Sequence, residues 1–348
     1  STNSVTMNGN GVTVNRGGNT SFLTFDGITH FTVENFNFIN ETPNTSMFGI
    51  MMRNGCDSIT IKNNTINVGT GYTTSLSCGI AASNSITSPS SYGNNANNIT
   101  IDSNTIIGAY YGIRLNGVSS TVPTTGNKIT NNTIQDAYIY SIYNYYQDDL
   151  IISNNDISRP TRSTISTFYG VHAYYSTKVR IWNNKIHDAG SGSYSCYPIY
   201  LGYSPNTVGN ESEIVNNAIY NNPTTGSYYG IYLYSYSSTT GKNKNINIWH
   251  NTVDINTNGS SGTRRGITTS STSTSYIENV NITNNIFNIY GNGTGTKHAI
   301  YMPSFTTLSG SNNLFRNVAT AGTNNLGYYG ANIATLAAWN TATGMTNN

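Results

Sequence analysis

The sequence predicts an all-β chain, a parallel β-helix of about ten or eleven stacked coils, and three observations carry that. The first is composition. The 348 residues are 9% charged and include 55 Asn, 34 Gly and 27 Tyr, whereas a soluble domain runs near about 25% charged. Asn, Thr, Ser, Gly, Tyr and Ile are poor helix formers, which excludes a helical architecture, and low charge with abundant Ile and Tyr excludes disorder. The second is a repeated unit: Ile61-Lys62-Asn63-Asn64-Thr65-Ile66 returns at Ile101 to Ile106, Ile129 to Ile134, Ile152 to Ile157, Ile181 to Ile186, Ile214 to Ile219, Ile248 to Val253 and Ile282 to Phe287. The third is a companion unit ahead of it: Gly49-Ile50-Met51-Met52, Gly79-Ile80-Ala81-Ala82, Gly112-Ile113-Arg114-Leu115, Gly170-Val171-His172-Ala173, Gly230-Ile231-Tyr232-Leu233 and Gly266-Ile267-Thr268-Thr269. Looser copies stand at Ser141, Pro198 and Ala299.

Each coil therefore supplies three strands of two to four residues: the Gly-Ile-x-Leu segment, the Ile-x-Ile before the asparagines, and the x-Ile after them. Such strands are stable only when stacked, each gaining parallel neighbours at about 4.8 Å with inward Ile in columns. The key corner positions are Phe36, Asn64, Asn104, Asn132, Asn155, Asn184, Asn217, Asn251, Asn285 and Asn313, 23 to 40 residues apart, so the strands are fixed and the loops vary. An inward amide offers donor and acceptor to groups that a sharp bend leaves unpaired, which predicts an Asn ladder.

Residues 1–318 read as the β-helix and 319–348 as a C-terminal capping segment, with Ile333–Trp339 the only stretch of helical character; Val5–Val14 already reads as strand. The opening Ser1-Thr2-Asn3-Ser4-Val5 carries no secretory leader, so the chain reads as a mature protein or an excised piece. Cys56, Cys78 and Cys196 have no metal-site spacing, and their odd number leaves a free thiol. No metal or other cofactor is expected. A net charge of +2, with only Arg264-Arg265 as a basic cluster, excludes nucleic acid as a partner. No apolar run approaches the ~20 residues of a membrane helix, so no membrane insertion is expected.

The two units together resemble the right-handed parallel β-helix, or pectate-lyase-like, superfamily over essentially the whole chain. The tail, Asn312-Asn313-Leu314-Phe315 with Leu326-Gly327-Tyr328-Tyr329 and Thr335 to Gly344, resembles the end of β-helix regions in large secreted or surface proteins of Bacteroidota. That resemblance implies a fragment of a larger protein, an extracellular or cell-surface location, and type IX secretion through a separate sorting domain. The architecture serves lyases, hydrolases, adhesins and tailspikes alike, so function must come from a site.

In enzymes of the superfamily, substrate lies on the outer face of the first strand stack. Period-2 alternation places Met51, Ala81, Arg114, Tyr143, His172, Tyr200, Tyr232, Thr268 and Tyr301 outward, with Asn116, Tyr145, Tyr174, Gly202 and Tyr234 one step on. Neither row holds an Asp or Glu, whereas glycoside hydrolysis normally needs two carboxylates and a calcium-dependent lyase several acidic oxygens. Asp148-Asp149 reads as a solvated turn, and Asp136 and Asp188 form no dyad. A flat apolar ring with a hydroxyl suits a sugar. The leading expectation is a non-catalytic rigid spacer and glycan-binding adhesin, contacting a cell-surface polysaccharide through Tyr143, Tyr145, His172, Tyr174, Tyr200, Tyr232 and Tyr234, with self-association or partner chains of a filament possible for a stacking fold. The alternative is a metal-free polyuronate lyase, with His172 as base, Tyr143 or Tyr200 as acid and Arg114 neutralising the uronate. Asp57-Ser58-Ile59 resembles a short O-glycosylation signal, and Thr60, Thr100 and Thr130 read as a broken outward threonine row, too short for ice binding.

Overall fold

The computed structural model describes residues 4–18, 21–42, 46–236, 241–270, 277–303, 307–346 and 348; the opening Ser1-Thr2-Asn3 lies outside the described residues. The chain divides into two compact units, Ser1–Ile165 and Ser166–Asn348. Each is a run of right-handed parallel β-helix built from three stacks of parallel strands.

In the first unit one stack runs Val5–Asn8, Thr29–Glu34, Cys56–Lys62, Thr100–Asp102, Lys128–Thr130 and Ile151–Ser153. The second runs from Thr13–Arg16 to Asp156–Ser158, and the third from Ser21–Asp26 through Met47–Arg53, Ser77–Ala82 and Tyr111–Asn116 to Tyr140–Tyr145. In the second unit the equivalent stacks begin at Arg180–Trp182, Lys185–His187 and Phe168–Tyr174. The register keeps the repeat in phase. Ile61, Ile101, Ile129 and Ile152 stand opposite one another, as do Ile181, Ile214, Ile248 and Ile282, and all are fully buried. The third-stack strands exceed the two to four residues expected, reaching seven in Met47–Arg53 and Phe168–Tyr174. The threonine row also differs: Thr60 pairs with Thr100, but Thr130 pairs with Asp102, two positions out of line.

The corner between the first two stacks is made by two adjacent residues with different tasks. The first turns the backbone through the left-handed region, at φ 57° in Asn63, Asn131 and Asn154 and φ 55° in Asn216, a conformation that Asn tolerates better than most residues. The second points its amide inward. In the first unit Asn64 donates to Asn104 Oδ1 at 3.1 Å, Asn104 to Asn132 at 3.1 Å and Asn132 to Asn155 at 3.0 Å. In the second, Asn184, Asn217, Asn251, Asn285 and Asn313 are joined in the same way. Each carbonyl oxygen also accepts the backbone N–H of the preceding corner, as Asn104 does from Asn64 at 3.0 Å. At Phe36 only that backbone bond is made, to Asn64 Oδ1 at 3.0 Å.

The motif glycine has a steric cause. A β-carbon at Gly230 would stand 2.6 Å from Val253 Cγ1 and 2.7 Å from the Gly266 carbonyl oxygen, and one at Gly112 would meet Ile134 and the Ser141 backbone. Glycine and the following Ile both face the core, so alternation breaks there and the residue before the glycine turns outward.

The tail carries Gly327–Tyr329, an antiparallel Asn332–Ile333, and a helix Leu336–Thr343 capped by the Thr335 hydroxyl and by Gly344 at φ 70°. The helix starts later than the Ile333–Trp339 reading and seats Trp339, fully buried, beside Phe315 and Tyr329. Beyond it Met345 is buried, Thr346 bridges Ser311 in parallel, and Asn348 Oδ1 accepts from Asn313 Nδ2 at 3.1 Å. Met345, Thr346 and Asn348 thus occupy the corresponding positions of a further Ile-x-Asn-Asn copy, one that sequence reading did not single out.

Candidate ligand-binding face

On the first unit most of the outward row does not reach solvent, Tyr143 alone being half-buried. Met51 is 1% exposed, Ala81 0% and Arg114 5%, because Phe48, Met51, Cys78, Ala81 and Tyr111 form a second apolar cluster outside the coil, with Tyr110, Tyr140 and Tyr143 packed on it. The segment between residues 83 and 95 is tied over this strand face: Asn116 Nδ2 donates to Pro89 O at 2.7 Å and Asn95 Nδ2 to Asn116 O at 2.9 Å. Arg114 lies between the rings of Tyr111 and Tyr143, at 4.6 and 4.5 Å, and its Nε donates to Asn116 Oδ1 at 3.0 Å. It is thus packed within the cluster, where the sequence reading placed it facing a uronate. Tyr145 stacks against Tyr143 and lies tilted against Tyr92, with centroids 6.2 and 4.9 Å apart. Burial raises the Tyr143 and Tyr145 hydroxyls well above the usual phenol range.

On the second unit the outer face is an aromatic array. One register column runs His172, Tyr200, Tyr232, Thr268, Tyr301 and Tyr328. A second, set outward by the break in alternation at the motif glycine, runs Tyr169, Tyr197, Tyr229, Arg265 and His298. Strict alternation hides this column; the two inward residues of the Gly-Ile motif were the signal that could have found it. Tyr169 stacks on Tyr197 at 4.8 Å and 7°, and Tyr197 on Tyr229 at 5.2 Å and 24°. Tyr174 and Tyr234 stack at 6.2 Å across the gap left by Gly202. Tyr175 and Tyr203, both in left-handed conformation, extend the array into the turn at 4.5 Å.

His172 and Tyr200 are brought together, but face to face, with centroids 4.3 Å apart and 14° between planes. Both are buried, at 6% and 8% exposure. Burial, reinforced by Tyr174 and Tyr232, pushes the Tyr200 hydroxyl far above its ordinary value, and burial followed by Tyr197 carries Tyr232 up to about 12. Phenols held this firmly protonated are hydrogen-bond donors at neutral pH and poorly matched to proton transfer. Arg265 is the only fully charged side chain among the outward residues of these columns. Its guanidinium lies 3.3 Å over the Tyr301 ring and 5.7 Å from Tyr229, and Nη1 donates to Thr268 Oγ1 at 3.3 Å.

The acidic residues stand elsewhere. Asp136 is buried and accepts from the Thr161 and Arg162 backbone N–H at 3.0 Å, and Asp188 accepts from His187 Nδ1 at 2.6 Å. Ser58, at φ 53°, bonds Asp57 at 2.6 Å. Among the described residues no group of three or more His, Cys, Asp or Glu could hold a metal ion, no helix is long and apolar enough to cross a membrane, and all three cysteines are buried free thiols.

No protein-family model and no curated protein matches the chain. Among solved structures it is similar to the Dettilon tailspike protein gp208, with a TM-score of 0.55 and 13% identity over 87% of this chain and 55% of the tailspike. The chain thus spans about half the length of that relative. It also aligns with the surface adhesin PfbA of Streptococcus pneumoniae (TM-score 0.46, 10% identity, 91% of this chain and 83% of that one). A third match is the Azotobacter vinelandii mannuronan C-5 epimerase AlgE6 A-module (TM-score 0.43, 10% identity, 93% and 81%). The tailspike likeness shows a common fold.

Proposed function

We propose that the chain is a non-catalytic, extracellular β-helical segment of a larger bacterial surface or filament protein, a rigid spacer that also binds glycans through the aromatic face of its second unit. The observation that carries this is the array itself: rings stacked at strand spacing, with protonated hydroxyls between them and no carboxylate in its columns. Tyrosine faces accept the C–H side of a sugar while phenols donate to its oxygens, and parallel strands repeat that offer at about 4.8 Å. The core of the site is His172, Tyr174, Tyr200, Tyr232 and Tyr234; Tyr143 and Tyr145 belong to the covered cluster of the first unit and are proposed as secondary contacts. Self-association through stacked coils or lateral packing belongs to the same reading.

A glycan array followed by calorimetry tests it. Binding that is weakened tenfold or more by Tyr200→Ala and Tyr232→Ala, with folding retained, is the expected result; no retained glycan leaves the spacer role alone. The lyase reading shares His172 and Tyr200 and predicts unsaturated, ultraviolet-absorbing product from alginate, pectate or glycosaminoglycans that disappears in His172→Ala. The stacked ring geometry predicts no product.

A further inference from the structure

Resting on the glycan reading of the same face, we propose that Arg265 is a specificity residue that seats a single acidic substituent, and that the ligand is a mostly neutral heteroglycan with sparse acid groups. The face is chemically uneven. Its first three strands, Phe168–Tyr174, Cys196–Gly202 and Tyr228–Tyr234, present rings throughout the two main columns. The fourth, Arg264–Thr269, presents Arg265 and Thr268, and Tyr301 and Tyr328 follow.

Arg265 is held over the Tyr301 ring and pinned by Thr268. Its Nε is buried without a hydrogen-bond partner, but the side chain as a whole is only half-buried, and a guanidinium offers five N–H donors in a fixed fork suited to a two-oxygen anion. No carboxylate occupies the columns around it. The nearest ionisable neighbour in its column, His298, is 2% exposed and bonded through Nε2 to Asn332 Oδ1 at 2.9 Å. Burial holds its pKa below the usual histidine value, so it adds no second charge at neutral pH. One cation among protonated phenols matches one anion per bound stretch. A polymer charged at every sugar would place its other carboxylates against rings with no counter-charge, a desolvation loss without return. A carboxylate and a sulfate ester present the same oxygen edge and are both fits for the fork.

The test compares intact and carboxyl-reduced gellan oligosaccharides, which carry one glucuronate among neutral hexoses, with a sparsely sulfated neutral glucan and with polygalacturonate. Binding is measured for the wild-type chain, Arg265→Gln, Arg265→Lys and Tyr200→Ala, each checked for an unchanged melting curve. Intact gellan fragments or the sulfated glucan should bind best, the better of the two identifying the anion. Carboxyl reduction and Arg265→Gln should each weaken gellan binding about tenfold or more, as expected for a charge-assisted bond, and not add to one another; Arg265→Lys should recover only part. Arg265→Gln without effect, or equal binding of polygalacturonate, overturns the acid-seating role while Tyr200→Ala still reports on the face. If Tyr200→Ala changes nothing for any probe, the glycan reading itself falls, and this inference with it.

Discussion

The ring of Tyr174 occupies the space a side chain would need at Gly202: a β-carbon built there would stand 2.5 Å from Tyr174 Cδ2 and 3.2 Å from Tyr200 Cε1. The missing side chain in the middle strand is thus what lets Tyr174 stack toward Tyr234. Gly202→Leu should displace the Tyr174 ring, which is the far end of a flexible side chain, and lower glycan affinity severalfold without removing any aromatic residue. The melting temperature should fall by only a few degrees. Calorimetric titration beside a thermal melt checks both halves.

The corner pairs separate two roles carried by one residue type. Asn217 donates to Ile181 O and Asn251 Oδ1 at 2.9 Å and accepts from Asn184 N and Nδ2 at 3.0 Å. Asn217→Ala removes four buried side-chain hydrogen bonds, Asn251 Oδ1 keeping only the bond from the residue 217 backbone N–H, and should cost about 3 kcal/mol or more. Its neighbour Asn216 supplies the left-handed turn on the surface, so Asn216→Gly should stay within about 0.5 kcal/mol. Denaturant midpoints of the two variants measure the difference.

Much of the fold was legible because Ile-x-x-Asn-x-Ile sets both the inward column and the corner, and a fixed unit between variable loops has few other ways to bury itself. The site was legible in part. Alternation tells which side of a strand a residue leaves from, not what packs over it, so Arg114 read as exposed although the outward apolar residues Phe48, Met51 and Cys78 of neighbouring strands foretold a cover. Tyr169, Tyr197, Tyr229 and Arg265 were missed for a different reason: the motif glycine and the Ile after it both face inward, which shifts the alternation by one, and period-2 counting runs straight through it. Gly202 read as a gap in a tyrosine row because sequence does not show a neighbour's ring lying across it.

Lys297 is a buried ammonium whose partners are all backbone. Fully buried, it donates to Gly293 O at 2.6 Å, Gly295 O at 2.9 Å and Ala321 O at 2.6 Å, tying the loop before its own strand to the next coil. Lys297→Met keeps the length and loses three charge-assisted bonds, leaving the carbonyls unpaired. The expected loss is about 3 kcal/mol, read as a lower denaturation midpoint, and the Tyr200 face should still bind ligand in the folded fraction. A neutral effect would mean that water replaces the ammonium without cost.

The phenols predict how the protein fails in alkali. Burial, the leading cause in each, raises Tyr143, Tyr145, Tyr174 and Tyr200 far above their usual value and brings Tyr203 and Tyr232 to about 12. An unfolded tyrosine releases its proton near about 10. Below that pH both states hold the proton and the stabilising difference is fully present. As pH rises from about 10 toward about 12 the unfolded chain sheds protons that the folded chain keeps, so stability falls across that window. Because many tyrosines share the shift, ionisation and unfolding should coincide: tyrosinate absorbance and loss of β-sheet circular dichroism should trace one steep transition. Tyrosinate appearing gradually, well before the sheet is lost, would show that the stacked rings are more open to solvent than their packing requires.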